Sequence, residues 1–227
     1  DSQLIVDFFT EKLGRLSFIV RVPKSSKAKA KRQLFQPLMI LNLEFDYRPK
    51  ASLQKMRDAS ISVPFADIPF SPYKLTMSMF LAELLGYATR AEQQGDALFQ
   101  FLMDSILWLD QAASNFSNFH IVFMIKLTAY LGFSPNIESG AGMDYFDLVD
   151  GCFVSAVPTH RNYLDAEDSM RMVHLLRLDY KTMHLYTMSR SDRNRCIEVL
   201  LLYYRIHLPS FPELKSYSVL KDMFSTM

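Results

Sequence analysis

Between Arg21 and Arg32 the chain carries six cationic side chains, Arg21, Lys24, Lys27, Lys29, Lys31 and Arg32, and no acidic one. Each ammonium or guanidinium must keep its water or find a partner, so a stretch of this composition stays out of a core. Serines and alanines separate the charges, which reads as a solvated arm held out between two strands. Neutralising phosphates is the chemistry such an arm does best, and it supplies affinity without reading a sequence. Lys-rich hairpin loops also serve solubility alone, and a basic run taken singly is a weak signal. Arg15, Arg48 and Lys50 lie in the same N-terminal part and complete the candidate phosphate-binding set.

A second cationic group, Arg190, Arg193 and Arg195 in SRSDRNRC, stands near a predicted helix start. Cations there oppose the helix dipole, at a cost of a few tenths of a kcal/mol each when exposed. Either a ligand or local pairing with Asp192 or Glu198 accounts for them.

Residues suited to turnover are harder to find. The five histidines are scattered, and four fall in predicted helices beside large apolar residues without a second ligand at metal-binding spacing. There is no His-Glu-x-x-His, no Gly-x-Ser-x-Gly and no glycine-rich phosphate loop, which excludes nucleotide hydrolysis of the P-loop type. Acid pairs such as Asp144 with Asp147, or Glu167 with Asp168, suit acid–base chemistry on paper. Turn and helix-start positions explain them more simply, because carboxylates favour the positive end of a helix. Two cysteines, Cys152 and Cys196, are too few for a disulfide framework or a four-ligand metal site and read as reduced thiols. No cofactor and no metal are expected.

The elements that must position these groups follow from periodicity. The 227 residues are 49% hydrophobic and 22% charged, an ordinary globular balance with a net charge of +1. That average hides an asymmetry: residues 1–68 hold 12 Lys+Arg against 7 Asp+Glu, or +5, and residues 69–227 hold 13 against 17, or −4. Leu4–Thr10, Arg15–Val22, Leu34–Tyr47 and Leu53–Pro64 read as strands, with Leu41, Leu43 and Phe45 alternating against Asn42, Glu44 and Asp46. Four strands, with one more expected upstream of Asp1, suggest a small five-stranded barrel or an SH3-like sheet. Five short strands with a basic loop suit an OB-fold, which binds nucleic acid across one face and its loops, and a small β-barrel used as a protein-binding module is the alternative.

Prolines at 64, 69 and 72 mark a boundary, and beyond it the period becomes helical. Helices are expected over Pro72–Arg90, Gly95–Ala113, Ser117–Leu131, from Asp165, over Tyr180–Met188, over Arg193–His207 with Ser191-Asp192 as its start signal, and over Leu214–Phe224. The segment 136–163, with Gly140, Gly142, Gly151 and Pro158, reads as an irregular insertion. The fold class is thus α+β: an OB-fold domain over 1–68, then an all-helical domain over 69–227. No run is long and apolar enough to span a membrane, and no secretory signal stands at the start.

Ordered motifs carry a resemblance. Gly14-Arg15-Leu16-Ser17, the basic hairpin with Lys24 and Lys27, Leu34-Phe35-Gln36-Pro37-Leu38, Ala82-Glu83-Leu84, Leu98-Phe99, Leu131-Gly132-Phe133-Ser134-Pro135-Asn136 and Leu214-Lys215-Ser216 together resemble the bacterial RecO family of recombination mediators. The resemblance covers essentially the whole chain. It implies a non-enzymatic protein that binds single- and double-stranded DNA, anneals complementary strands, and works with RecR to load the RecA recombinase. It also implies contact with the acidic C-terminal tail of single-stranded-DNA-binding protein, for which Arg205 and Lys215 are the candidates here, and a cytoplasmic, nucleoid-associated location. Many members carry a four-cysteine zinc site after the Leu-Gly-x-x-Pro stretch. This chain keeps only Cys152 there, so packing of Tyr145, Phe146 and Phe153 is expected to hold the insertion instead. The competing reading is a helical protein-docking scaffold with a β-barrel module that binds no DNA.

Overall fold

A computed structural model describes residues 2–22, 32–90, 95–137 and 144–223. Two compact units divide the chain, Asp1–Gln111 and Ala112–Met227.

In the first unit, β1 (Ser2–Thr10) and β2 (Gly14–Val22) form an antiparallel hairpin. Gly14 closes its turn at φ +63°, where a side chain would be strained, and the Thr10 hydroxyl donates to the Gly14 carbonyl at 2.8 Å. β3 (Ile40–Phe45) and β4 (Gln54–Val63) form a second antiparallel pair, and β2 joins β4 in parallel through Phe18↔Gln54 and Ile19↔Lys55. The strand order is β1-β2-β4-β3. Phe18 and Val20 are buried, while Arg21 is exposed and Ile19 half-buried. The period of two therefore assigns one face to the core and the other to solvent.

The closed barrel expected from the sequence is corrected to an open sheet. Among the described residues β1 pairs only with β2 and β3 only with β4, so no ladder joins the two edges. The third strand is also shorter than its apolar run. Arg32–Leu38 forms turns instead, with the Phe35 N–H donating to the Arg32 carbonyl at 3.1 Å and Leu38 at φ +62° just after Pro37. Phe35 still meets the core, edge-on to Phe8.

The first unit continues through α1 (Pro72–Ala88) and α2 (Asp96–Gln111). Pro72 occupies the first turn, where its missing N–H costs nothing, and Ser71 caps it. The connection 66–68 is fastened to α2 by one side chain. The Asp110 carboxylate accepts the N–H groups of Ala66, Asp67 and Ile68 at 2.8, 2.9 and 2.9 Å. Lys74, fully buried, donates to the Asp110 carbonyl at 3.0 Å and pairs with Asp67 at 2.7 Å. Burial pushes the Asp110 carboxyl up, but the three N–H donors and the Lys74 charge outweigh it and hold its pKa below the usual value.

The second unit is built on α3 (Phe119–Tyr130), buried around most of its circumference, with α4 (Ala166–Leu176) and α5 (Arg190–His207) packed on it. Ser189 starts α5 through a capping box with Asp192, two residues before the start signal chosen from sequence. The helix expected over Tyr180–Met188 is reduced to a 3₁₀ turn, Met183–Leu185. Asp179 prevents more: its side chain accepts from the Lys181 and Thr182 N–H groups and fixes a turn. α6 (Ser216–Met223) closes the described chain.

The supposedly irregular insertion contains a small antiparallel sheet. β5 (Tyr145–Asp147) lies between β6 (Cys152–Val154) and β7 (Tyr163–Leu164). Phe146 and Phe153 are buried with ring centroids 4.8 Å apart, and Tyr145 meets Tyr163 edge-on at 5.9 Å. α5 packs on this sheet: the Tyr203 ring lies 6.2 Å from that of Phe146 while its hydroxyl donates to the Phe133 carbonyl at 2.9 Å, and His207 Nε2 lies 2.9 Å from the carbonyl of Leu148, just after β5.

Candidate nucleic-acid interface

The candidate interface is the solvent face of the four-stranded sheet and the turns at its ends. Alternation along β2 sends Arg15, Ser17, Ile19 and Arg21 to one side, and the register places Ile19 opposite Ile5 on β1 and Lys55 on β4. Arg21 and Lys55 thus stand on the same face, on adjacent strands, beside an apolar pair in which Ile5 is 68% exposed. Arg48 and Lys50 are exposed on the β3–β4 turn, and Arg32 is exposed at the start of the turns before β3. Lys24, Lys27, Lys29 and Lys31 lie outside the described residues.

Arg15 is differently placed. It pairs with Asp7 on the neighbouring strand at 2.9 Å, Ser17 bonds the same carboxylate, and the Arg15 side chain is only 21% exposed. Its charge is already compensated in the hairpin. Sequence reasoning passed over Lys55 and Arg57, which strand alternation and the charge count could have brought forward. Arg57 is exposed and pairs with Asp46 at 2.6 Å.

Four phenylalanines of this unit face inward. Phe8 meets Phe18 at 5.5 Å and Phe35 at 6.2 Å, and Phe18 meets Phe45 at 4.8 Å, all edge-on. Tyr47, 47% exposed, is the aromatic side chain turned to solvent at the β3–β4 turn.

In the second unit the arginines of SRSDRNRC go to separate partners. Arg195 binds Asp168 through Nε at 2.8 Å and through its terminal nitrogen at 2.6 Å. Asp168 also receives Arg171 at 2.9 Å, and this carboxylate contact leads the causes that raise the Arg195 pKa. Arg193 turns into the unit, donating to Asn118 Oδ1 at 3.2 Å and the Met188 carbonyl at 3.4 Å. Burial lowers its pKa. Arg190 reaches the Lys221 carbonyl at 3.3 Å. Asp168, Asn118 and Lys221 come from distant parts of the sequence, whereas Met188 is local and the nearby Glu198 charge also helps raise the Arg195 pKa, so contacts across the unit add to the local pairing.

Arg205, on the last turn of α5, lies 3.8 Å from Glu213, a loose exposed pair, and Lys215 is exposed just before α6. Burial pushes the Cys196 thiol up to about 11, and burial followed by the charges of Asp150 and Asp147 raises that of Cys152. Neither has the depressed pKa of a reactive thiol. His160 is held between Asp147, 3.1 Å from Nε2, and the Asn162 N–H, so both ring nitrogens are engaged in the turn. Among the described residues no three His, Cys, Asp or Glu side chains converge as metal ligands, and no helix is long and apolar enough to cross a membrane.

The N-terminal part is thus β-rich with exposed cations on its solvent face, and helices follow it; comparison with known proteins gives the family. The Recombination protein O N-terminal family model matches residues 1–65, and the Recombination protein O C-terminal model matches residues 69–217. The DNA repair protein RecO of Phocaeicola vulgatus is 46% identical over 225 residues, covering 99% of this chain and 93% of its own. The protein of the same name from Bacteroides fragilis is 44% identical over 225 residues, and that of Flavobacterium johnsoniae 34% over 233, each at the same two coverages. The chain belongs to the RecO family of DNA repair and recombination proteins.

Proposed function

We propose that this protein is a non-enzymatic mediator of recombinational repair that binds single- and double-stranded DNA through its N-terminal unit. In this reading residues 1–68 are an OB-type nucleic-acid module and residues 69–227 a helical docking domain. The antiparallel, parallel, antiparallel strand sequence across β1-β2-β4-β3 supports the OB assignment. The observation that carries the reading is membership of a DNA repair family across residues 1–65 and 69–217, combined with exposed Arg21, Arg48, Lys50 and Lys55 on the unit whose sequence also bears the Lys24–Lys31 run.

The mechanism follows from charge. Cations on the sheet and arm neutralise the phosphates of two strands at once and lower the repulsion that opposes annealing. With RecR, the annealing protein then helps load RecA on single strands. Exposed Arg205 and Lys215 on the second unit meet the acidic tail of single-stranded-DNA-binding protein. The protein acts in the cytoplasm at the nucleoid.

A strand-annealing assay with complementary labelled oligonucleotides tests this, comparing the wild type with the Lys24→Ala, Lys27→Ala, Lys29→Ala, Lys31→Ala variant. Faster annealing by the wild type that largely disappears in the variant supports the reading. No acceleration by the wild type refutes it in favour of a protein-docking scaffold.

A further inference from the structure

The turn between β3 and β4 is built more rigidly than its exposure requires. Arg48-Pro49-Lys50-Ala51 forms a β-turn in which the Ala51 N–H donates to the Arg48 carbonyl at 3.0 Å, with Pro49 at the position that fixes φ. Gln54, only 2% exposed at the start of β4, clamps this turn from beneath. Its amide nitrogen donates to the Arg48 and Ala51 carbonyls at 2.9 and 3.0 Å, and its oxygen accepts the Arg48 N–H at 3.0 Å. The Asp46–Arg57 pair at 2.6 Å ties down the other end.

The clamp fixes the backbone on which three solvent-facing side chains stand: Tyr47, Arg48 and Lys50. Among the described residues Tyr47 enters no ring pair, and neither Arg48 nor Lys50 enters an ion pair. An exposed aromatic ring followed in the chain by two exposed cations on a pre-formed turn suits an unpaired nucleobase and its adjoining phosphates. Aromatic faces stack on any base, and pre-ordering avoids the entropy cost of fixing the loop on binding.

We infer that the Gln54-clamped turn is the single-strand-selective element of this protein, with Tyr47 stacking on an exposed base, Arg48 and Lys50 on the adjoining phosphates, and Gln54 as the positioning residue. This rests on the DNA-binding reading above. A duplex offers phosphates but no free base face, so the cationic contacts serve both forms of DNA and Tyr47 serves only the single strand.

The test is fluorescence anisotropy at one fixed salt concentration with a labelled oligothymidylate and a labelled duplex of the same length. Tyr47→Ala weakens oligothymidylate binding roughly 5- to 100-fold, the range of base–aromatic stacking, and leaves duplex affinity within about twofold, while Tyr47→Phe retains both. Equal losses on the two probes, or no loss on either, overturn the inference while the DNA-binding reading stands. Failure of the wild type to bind either probe overturns both.

Gln54 is tested in the Tyr47→Trp background, reading quenching of the new indole at saturating oligothymidylate as the difference from protein containing only Trp108. Gln54→Leu reduces that quench if Gln54 positions the ring. An unchanged quench alongside a lowered melting temperature makes Gln54 purely structural and removes it from the inference.

Discussion

Replacing Asp110 by alanine deletes the acceptor of three backbone N–H groups at once, those of Ala66, Asp67 and Ile68. Asp110 is 6% exposed, so water replaces those bonds poorly. The Ile68 N–H is buried, and an orphaned buried donor costs about 1–3 kcal/mol; the other two are partly solvated and cost less. Lys74, itself 0% exposed, keeps its partners Asp67 and the Asp110 carbonyl but loses a nearby negative charge. The sum is about 3–5 kcal/mol, in line with breaking a buried charge contact by removing one member. That is a large share of the roughly 5–15 kcal/mol by which domains are stable.

The assay is urea denaturation followed by the fluorescence of Trp108, which is the chain's one tryptophan and stands on α2 two residues before Asp110. The pH dependence adds a second signature. The folded pKa of Asp110 is lowered from 3.8, so its contribution is fully present above 3.8 and is lost as pH falls through the lower folded value. Asp110→Asn removes that acid-dependent part. If Asp110→Ala changes stability by less than about 0.5 kcal/mol, the carboxylate does not hold the 66–68 connection and the reasoning fails.

Three further expectations concern the second unit. Gly151→Ala places a Cβ 2.6 Å from the Tyr203 hydroxyl at a residue with φ +64°, so displacing Tyr203 from the Phe133 carbonyl costs about 2–4 kcal/mol in thermal or urea unfolding. Burial, then the Arg193 charge, lowers the His120 pKa to about 3, so the folded state keeps it neutral while the unfolded chain takes up a proton below 6.5. Stability should therefore fall by up to about 1.4 kcal/mol per pH unit from 6.5 toward 3, and His120→Leu should flatten that slope in a pH series of denaturation curves. Asp168→Ala leaves Arg171 and Arg195 facing a lost carboxylate and should cost about 2–4 kcal/mol, whereas Arg195→Ala, at a half-exposed side chain, should cost under about 1 kcal/mol; a double-mutant cycle gives the coupling.

Regular elements were legible wherever a period ran for several residues. Leu41, Leu43 and Phe45 marked β3, and the apolar spacings from Leu75 to Tyr87 marked α1. The failures have local causes. Leu34–Met39 is as apolar as a strand, yet Pro37 and the positive φ of Leu38 bend it, so hydrophobicity without alternation misled. Strands of two or three residues such as β5–β7 are too short to show a period, and only their buried phenylalanines were visible. The basic character of the candidate site could be read directly, but the fate of each cation could not. Asp7 for Arg15, Asp168 for Arg195 and Asn118 for Arg193 are partners supplied by the fold. The clamp made by Gln54 gave no sequence signal at all, since an amide at a strand start is ordinarily solvated.

The proposed function requires cations of the N-terminal unit to bind DNA phosphates. The most direct measurement is the affinity of the wild-type protein for labelled single-stranded DNA over a series of salt concentrations, repeated with Arg21→Ala, Lys55→Ala. The expected result is a linear fall of log K with log salt, with a slope of about −0.7 per phosphate neutralised, and a shallower slope in the variant by one to two phosphates. Binding that does not respond to salt, or identical slopes in the two proteins, would contradict it.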